Sequence, residues 1–384
     1  MSITAAAGFR AAGVVAGIKN SGGRDVALVV NDGPCDAAAA VFTSNRVRAA
    51  PVLWSQQVVA DGRLKAVVLN SGGANACTGP DGFADTHRSA EQVAASLAIG
   101  AGEVAVCSTG LIGERLPMDK LLAGIVEAGA GLDDDGGSDA ADAIRTTDTR
   151  AKQSVFRHGD GWVVGGMAKG AGMLAPGLAT MLSVITTDAD VGAGELDAGL
   201  RSASGRSFDR IDADGCMSTN DTVIVMASGA SGVRPPYAEF AAALETVCLD
   251  LARQLLADAE GATKEVAIEV IGAAGEDDAV EVGRSIARNN LLKCALFGND
   301  PNWGRVLAAI GTTAAAFDPD RLDVSMNGIQ ICRAGAAGEP RDKVDLTGRD
   351  ITILVDLHAG DASATIWTND LSHGYVEENS AYSS

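Results

Sequence analysis

Hydrophobic positions along this chain repeat with two periods, and the alternation of those periods divides it into strands and helices. Short apolar, β-branched runs at 25–30, 39–43, 65–69 and 103–107 predict strands. Segments 85–97 and 118–127 predict helices, the second with Leu121, Leu122, Ile125 and Val126 at helical spacing. The acidic run 133–139 reads as a solvated loop, with Ser138 able to cap a helix that reaches Ile144. Segments 154–158 and 162–166, joined at Gly159-Asp160-Gly161, predict a hairpin, and 181–187 a buried strand. Further on, 236–257 sets Phe240, Leu244, Val247, Leu251 and Leu255 on one helical face. Strands follow at 265–271, 321–326 and 329–333, the last two turned at Asn327-Gly328, and 350–357 with 362–368 predicts a second hairpin. Between them, the polar, turn-forming stretch 298–305 leads into an apolar helix at 306–310, and we place it near the functional site.

The chain is organised around GGMAKGAGMLAPGLATMLSVITT at 165–187, where a glycine-dense loop runs straight into the strand at 181–187. Gly165, Gly166, Gly170, Gly172, Pro176 and Gly177 permit close backbone approach or fix a turn. The joint falls at Ala179-Thr180. A threonine hydroxyl at the head of a buried strand, held against a loop carbonyl, is suited to attack the peptide bond before it. An N-to-O acyl shift and hydrolysis would then leave Thr180 as a new N-terminus. Its α-amine, with a reference pKa of about 8, could take the hydroxyl proton without a histidine. Nucleophile and base would share one residue. The same local pattern also describes a glycine-rich connection entering an ordinary core strand.

Other stretches offer chemistry. Ser108-Thr109-Gly110 ends the strand at 103–107 in a turn that could aim a hydroxyl and a backbone N–H at one point, either as an oxyanion hole or as a plain helix cap. Thr146 to Thr149, TTDT, presents hydroxyls at a helix C-terminal turn. Lys169, inside the glycine loop, could hold a carboxylate or stabilise charge during acyl transfer. Glu260, at the end of the long helix, precedes Gly261, the usual setting of a surface residue.

Composition narrows the class. With 384 residues, 47% hydrophobic and 21% charged, the chain has the balance of an ordinary folded protein of two domains or one large composite core. Glycine is frequent and aromatic residues are 4%, so the core must be built from Ala, Val, Leu and Ile. A net charge of −20 argues against nucleic acid or an anionic membrane surface as partner. The first twenty residues lack a secretory pattern, and no window reaches the roughly 18 apolar residues of a membrane span, so a cytoplasmic enzyme is expected. Seven scattered cysteines without a CxxC pair predict reduced thiols, and the four histidines show no metal-ligand spacing. No metal is expected.

MAKGAGMLAPGLATM (167–181) resembles the self-cleavage region of the ornithine acetyltransferase family, the glutamate N-acetyltransferases of arginine biosynthesis. In matching order the chain also carries VLNSGGANACTG (68–79), CSTGLIGERLPM (107–118), AIRTTDTRAK (143–152), DADGCMSTNDT (212–222), EGATK (260–264), GNDPNWGR (298–305) and DLSHGYVEENSAYSS (370–384). Gly73 and Asp209 stand where many members have asparagine, which bears on local loop geometry and substrate range.

The resemblance implies an α/β, N-terminal-nucleophile-like sandwich of sheets between helices, built jointly from 1–179 and 180–384 after cleavage between Ala179 and Thr180. It implies Thr180 as nucleophile and Thr109 with Gly110 as oxyanion hole. Thr146, Lys169, Glu260, Asn379 and Ser384, with Thr180, would bind the amino acid, the last two only if the chain's end folds back into the pocket. The implied reaction moves acetyl from N-acetylornithine to glutamate with no cofactor, in an α2β2 assembly of the two pieces. Three alternatives remain open at this point: acetyl-CoA as a further donor, an amidohydrolase that gives its acyl group to water, and an uncut amino-acid-binding module.

Overall fold

The computed structural model describes residues 2–175 and 181–381. In chain order its strands are β1 (Phe9–Val14), β2 (Val26–Asn31), β3 (Ala37–Phe42), β4 (Ala66–Ser71), β5 (Val104–Thr109), β6 (Lys152–Arg157), β7 (Val163–Lys169), β8 (Leu182–Thr187) and β9 (Thr222–Ala227). Six more, β10 (Glu265–Ala273), β11 (Asp323–Met326), β12 (Ile329–Arg333), β13 (Ala336–Ala337), β14 (Asp350–Asp356) and β15 (Ala362–Asn369), make a separate sheet. The helices are α1 (Ala50–Val58), α2 (Gly79–Leu97), α3 (Met118–Ala130), α4 (Gly137–Ala143), α5 (Ala193–Arg206), α6 (Tyr237–Ala257), α7 (Glu276–Ala287), α8 (Asn290–Phe297), α9 (Trp303–Ile310) and α10 (His373–Ala381).

Strand β2 explains the layering. It is buried at every position because both its faces are covered, and alternate side chains go to different cores. Val26, Leu28 and Val30 pack with Val93 of α2 and Leu121 and Ile125 of α3, whereas Ala27 and Val29 meet Met167, Val184 and Ile224 of a second sheet. That second sheet turns its far side, Val164, Ile185 and Val225, to Leu196 and Leu200 of α5 and to the Phe240, Leu244, Val247, Leu251, Leu255 face of α6. The result is a helix–sheet–sheet–helix sandwich, as expected for the α/β class. The sheet orders are β1-β2-β4-β5 and β3-β9-β8-β7-β6, so β8 and β9 lie between β3 and β7. Strands from before and after residue 180 therefore interleave in one ladder.

The remaining sheet, β13-β12-β11-β14-β10-β15, carries its own core, with α7, α8 and α9 supplying Val282, Ile286, Leu292, Leu296, Val306 and Ile310. Here the second predicted hairpin is corrected. Strands β14 and β15 do not pair, because β10 inserts between them, parallel to β14 and antiparallel to β15. The Asn327-Gly328 turn holds, with both residues at positive φ, 46° and 82°. Ser138 does not cap α4; it lies inside the helix, after a Gly136 N-cap. Strands β1 and β9 and helices α1, α5, α7 and α8 add to the elements the sequence pattern specified. No described helix is long and apolar enough to cross a membrane, and the seven cysteines are unbonded.

The chain's end folds back as α10 against the turn after α6. Gly261 has φ +61°, and a Cβ there would lie 2.0 Å from the Tyr375 backbone nitrogen. Ser372 Oγ donates to the Gly261 carbonyl and accepts from Tyr375 N, closing the joint. Gly261→Ala is expected to displace α10 and cost about 1–3 kcal/mol, read as a lower midpoint in thermal or denaturant unfolding.

Candidate active site

Lys169 is the last residue of β7 rather than part of the loop, because its ladder with β8 runs to the pair Lys169 and Leu182. Its side chain crosses toward the end of β5, where Nζ donates to Thr109 Oγ1 at 3.3 Å. Only 3% of the lysine is exposed. Burial lowers its pKa from the ordinary lysine value; the negative charge of Asp148 opposes that, Lys152 reinforces it, and Asp221 and Glu260 oppose it further.

The turn after β5 is fixed from three sides. Gly110 has φ +129°, and a Cβ there would lie 2.5 Å from the Gly73 nitrogen, so the position admits glycine alone. Gly73 N–H in turn donates to the Thr109 carbonyl at 2.9 Å. Asn220, just before β9, donates from Nδ2 to Ala74 O at 2.6 Å and Ser108 O at 2.8 Å, and Ser108 Oγ donates to Asn70 Oδ1. The loop after β4 and the turn after β5 are thus locked together.

Opposite them stands the turn after α4. Thr147 Oγ1 donates to Glu260 Oε1 at 2.6 Å, and Glu260 N–H donates to the Ala171 carbonyl. Glu260 is 7% exposed, a buried carboxylate instead of the surface residue its place before a glycine suggests. Asp148 accepts Thr146 N–H at 3.0 Å, Gly170 N–H at 2.7 Å and Lys152 Nζ at 2.5 Å. Burial alone would raise its pKa, but Lys169, Lys152 and the Gly170 amide hold it far below the carboxylate range.

These groups surround a pocket of about 240 Å³. Thr109, Gly110, Thr146, Lys169, Glu260 and Asn379, all named from the sequence, line it. Asn379 reaches it from exposed α10, with Nδ2 donating within the helix to Tyr375 O. Ala179, Thr180 and Ser384 lie outside the described residues. Ala74, Ile112, Thr147, Gly172, Met173, Ser218 and Asn220 complete the lining and were not assigned from sequence. The TTDT and STND runs held the signal for Thr147, Ser218 and Asn220 as clustered small polar residues. Residues 298–305 lead into α9, as expected, and none of them lines the pocket. The trio of half-buried His158 with exposed Asp160 and Glu239, one ligand atom each within 4.8 Å of the others, also takes no part in it.

Beyond the described part, the strand after the joint is anchored directly. Met181 N–H, the amide formed with residue 180, donates to Asp221 Oδ1 at 3.0 Å, and Met181 O accepts from Thr222 N. Asp221 is fully buried, and burial lifts its carboxyl well above the ordinary range, against the Met181 amide, the Ser218 hydroxyl and the charge of Lys169.

The buried ammonium of Lys169 and carboxylate of Glu260 can hold the two ends of a small zwitterion against the glycine-locked turn of Thr109, which is what an enzyme acting on charged small molecules requires. The comparisons place it further. The sequence profile described as the ArgJ family matches residues 10–384, and the chain belongs to that family: it is an acyltransferase of arginine biosynthesis. Relatives named arginine biosynthesis bifunctional protein ArgJ include those of Streptomyces coelicolor, 66% identical over the full length of both chains, and Thermobifida fusca, 65% identical over the full length of both. Among solved structures, ornithine acetyltransferase of Mycobacterium tuberculosis complexed with ornithine is 63% identical, covering 47% of this chain and 96% of that one with a TM-score of 0.46.

Asn220→Ala would strip two buried carbonyls of their donor and release the turn that carries Thr109. The expected loss is about 2–4 kcal/mol of stability together with a fall in acyl-transfer rate, checked by denaturant unfolding and an activity assay.

Proposed function

We propose that this enzyme transfers the acetyl group of N-acetylornithine to glutamate through an acetyl-Thr180 intermediate, after cutting itself between Ala179 and Thr180. The observation that carries the reading is the pairing of Lys169 with Thr109 beside Glu260 in one pocket, at the end of the ladder that leads to Met181.

Self-cleavage begins with the Thr180 hydroxyl attacking the Ala179 carbonyl carbon. The C–N bond breaks as the nitrogen takes a proton, giving an ester that water hydrolyses. The freed α-amine of Thr180 then takes the proton from its own hydroxyl as that oxygen attacks the acetyl carbonyl of the donor. Negative charge develops on the carbonyl oxygen, and the Thr109 hydroxyl and Gly110 N–H receive it. Because Lys169 donates to Thr109 Oγ1, an acceptor site of that oxygen is occupied and its own hydrogen is left to point at the substrate. The C–N bond to ornithine breaks, ornithine leaves with the proton held on the amine, and acetyl remains on Thr180. Glutamate enters the same pocket, its neutral amine attacks the acetyl carbonyl, and the ester C–O bond breaks as the amine's proton returns through the Thr180 α-amine to the hydroxyl oxygen, so ping-pong kinetics are expected. Lys169 holds the amino-acid carboxylate and Glu260 the side-chain amine of ornithine, with Thr146, Asn379 and Ser384 orienting the remainder; positioning of this kind lowers the barrier without any cofactor.

The two pieces, 1–179 and 180–384, stay together in this reading, since β8 and β9 are paired on both sides by strands of the first piece. Each pair forms one N-terminal-nucleophile-type unit, two pairs make an α2β2 tetramer, and the enzyme works in the cytoplasm. The relatives' description as bifunctional favours acetyl-CoA as a second donor, tested by N-acetylglutamate formation from acetyl-CoA and glutamate alone.

Intact mass and N-terminal sequencing should find a fragment beginning at Thr180 in the wild type and an uncut Thr180→Ala chain. A folded wild type that stays whole while transferring acetyl would overturn the nucleophile assignment. Thr109→Ala should still fold and be cut more slowly, and its kcat should fall by about 10²–10³ while KM changes little.

A further inference from the structure

We infer that Asp148 is a positioning residue for acetyl transfer, its buried carboxylate holding the Thr146 turn, Lys152 and the start of the loop at Gly170, the residue after Lys169, in one working arrangement. Three donors from separate parts of the chain converge on this carboxylate: Lys152 Nζ and Gly170 N–H on Oδ1, and Thr146 N–H on Oδ2. Both oxygens are engaged and the side chain is shielded from water. Each contact controls something different. Thr146 lines the pocket wall, Gly170 begins the connection to the proposed nucleophile, and Lys152 passes the tie to Asp258 at 2.5 Å, which also accepts from Thr149 N–H and hydroxyl.

The electrostatic part is the more specific. Lys169 stands among Asp148, Lys152, Asp221 and Glu260, besides the Thr109 hydroxyl, in a place where burial favours its neutral form. Asp148 is the foremost charge keeping it protonated, and Lys152 works the other way. Asp258 also accepts from Lys152 Nζ and holds the turn through Thr149, whereas the Thr146 and Gly170 amides go to Asp148, so Asp258 serves as the control for losing a carboxylate on Lys152 alone. This inference rests on Lys169 as a substrate contact, as proposed above.

A lysine whose pKa is already lowered loses its proton at still lower pH when a neighbouring carboxylate is removed, so the alkaline limb of kcat/KM moves down. Removing Lys152 has the opposite sign.

The test is acetyl transfer from N-acetylornithine to glutamate by the full-length protein between about pH 6.5 and 10, with thermal midpoints for every variant. Asp148→Asn should bring the alkaline limb down by about one unit, with kcat/KM at pH 8 about tenfold lower or less. Asp258→Asn should lose thermal stability and keep the wild-type limb. Lys152→Met should move the limb upward, and it keeps the test decisive should Asp148→Asn not fold. A wild-type limb in Asp148→Asn, or in Lys152→Met where Asp148→Asn does not fold, or an equal shift in Asp258→Asn, would reduce Asp148 to a structural tie and overturn the inference. Wild-type kcat/KM in Lys169→Met would instead remove the substrate contact beneath it, a failure seen in that variant whatever the Asp148 variants do.

Discussion

The ladder between β7 and β8 is the constraint on which the site depends. Its register sets Lys169 opposite Leu182, so the chain leaves one strand at the lysine and returns in the next a single residue after Met181. The strand that follows the glycine-rich connection cannot drift, because β9 flanks it on the other side in parallel and Asp221 takes the amide of Met181. Shifting this register by one residue would turn every side chain of β8 to the opposite core. Val184 faces the inter-sheet core and Ile185 the α6 side, so such a slip is strongly disfavoured.

Around that fixed strand end the protein gathers charge it could not otherwise bury. A lone ammonium or carboxylate costs several kcal/mol to take out of water. Here Asp148 takes Lys152 together with the backbone N–H groups of Thr146 and Gly170, and the charges of Asp148 and Glu260 favour the buried ammonium of Lys169. The groups also come from both sides of the joint: Lys152, Asp148 and Lys169 precede it, Asp258 and Glu260 follow it. In the proposed mechanism, the same network that orients an amino acid also keeps the two pieces in register after the cut.

Much of this architecture was legible in the chain's pattern. Strand β2 and its neighbours read as continuous apolar runs because both faces are covered, and α6 displayed its stripe openly. Local pattern was silent where tertiary context decides. FRAAGV, which forms β1, is too weakly apolar to stand out and becomes a strand because Val26–Asn31 pairs with all of it. Segments 350–357 and 362–368 looked like a hairpin since they are adjacent in sequence; a distant strand takes the place between them. The resemblance assigned a role to six of the described pocket residues, yet it gave none to Asp148 and Asn220, which lie inside matching stretches. An aspartate among threonines and an asparagine in a polar run look solvated until the fold buries them.

Carriage of the acetyl group by Thr180 between the two amino acids can be tested by trapping the acetyl-enzyme. The purified enzyme is mixed with N-acetylornithine in the absence of glutamate, quenched in acid and examined by mass spectrometry of the segment beginning at residue 180. One added acetyl group is expected on the N-terminal threonine of that segment, discharged when glutamate is supplied before the quench. Acetyl transfer to glutamate at full rate with no acetylated segment, or with the acetyl group on another residue, would contradict it.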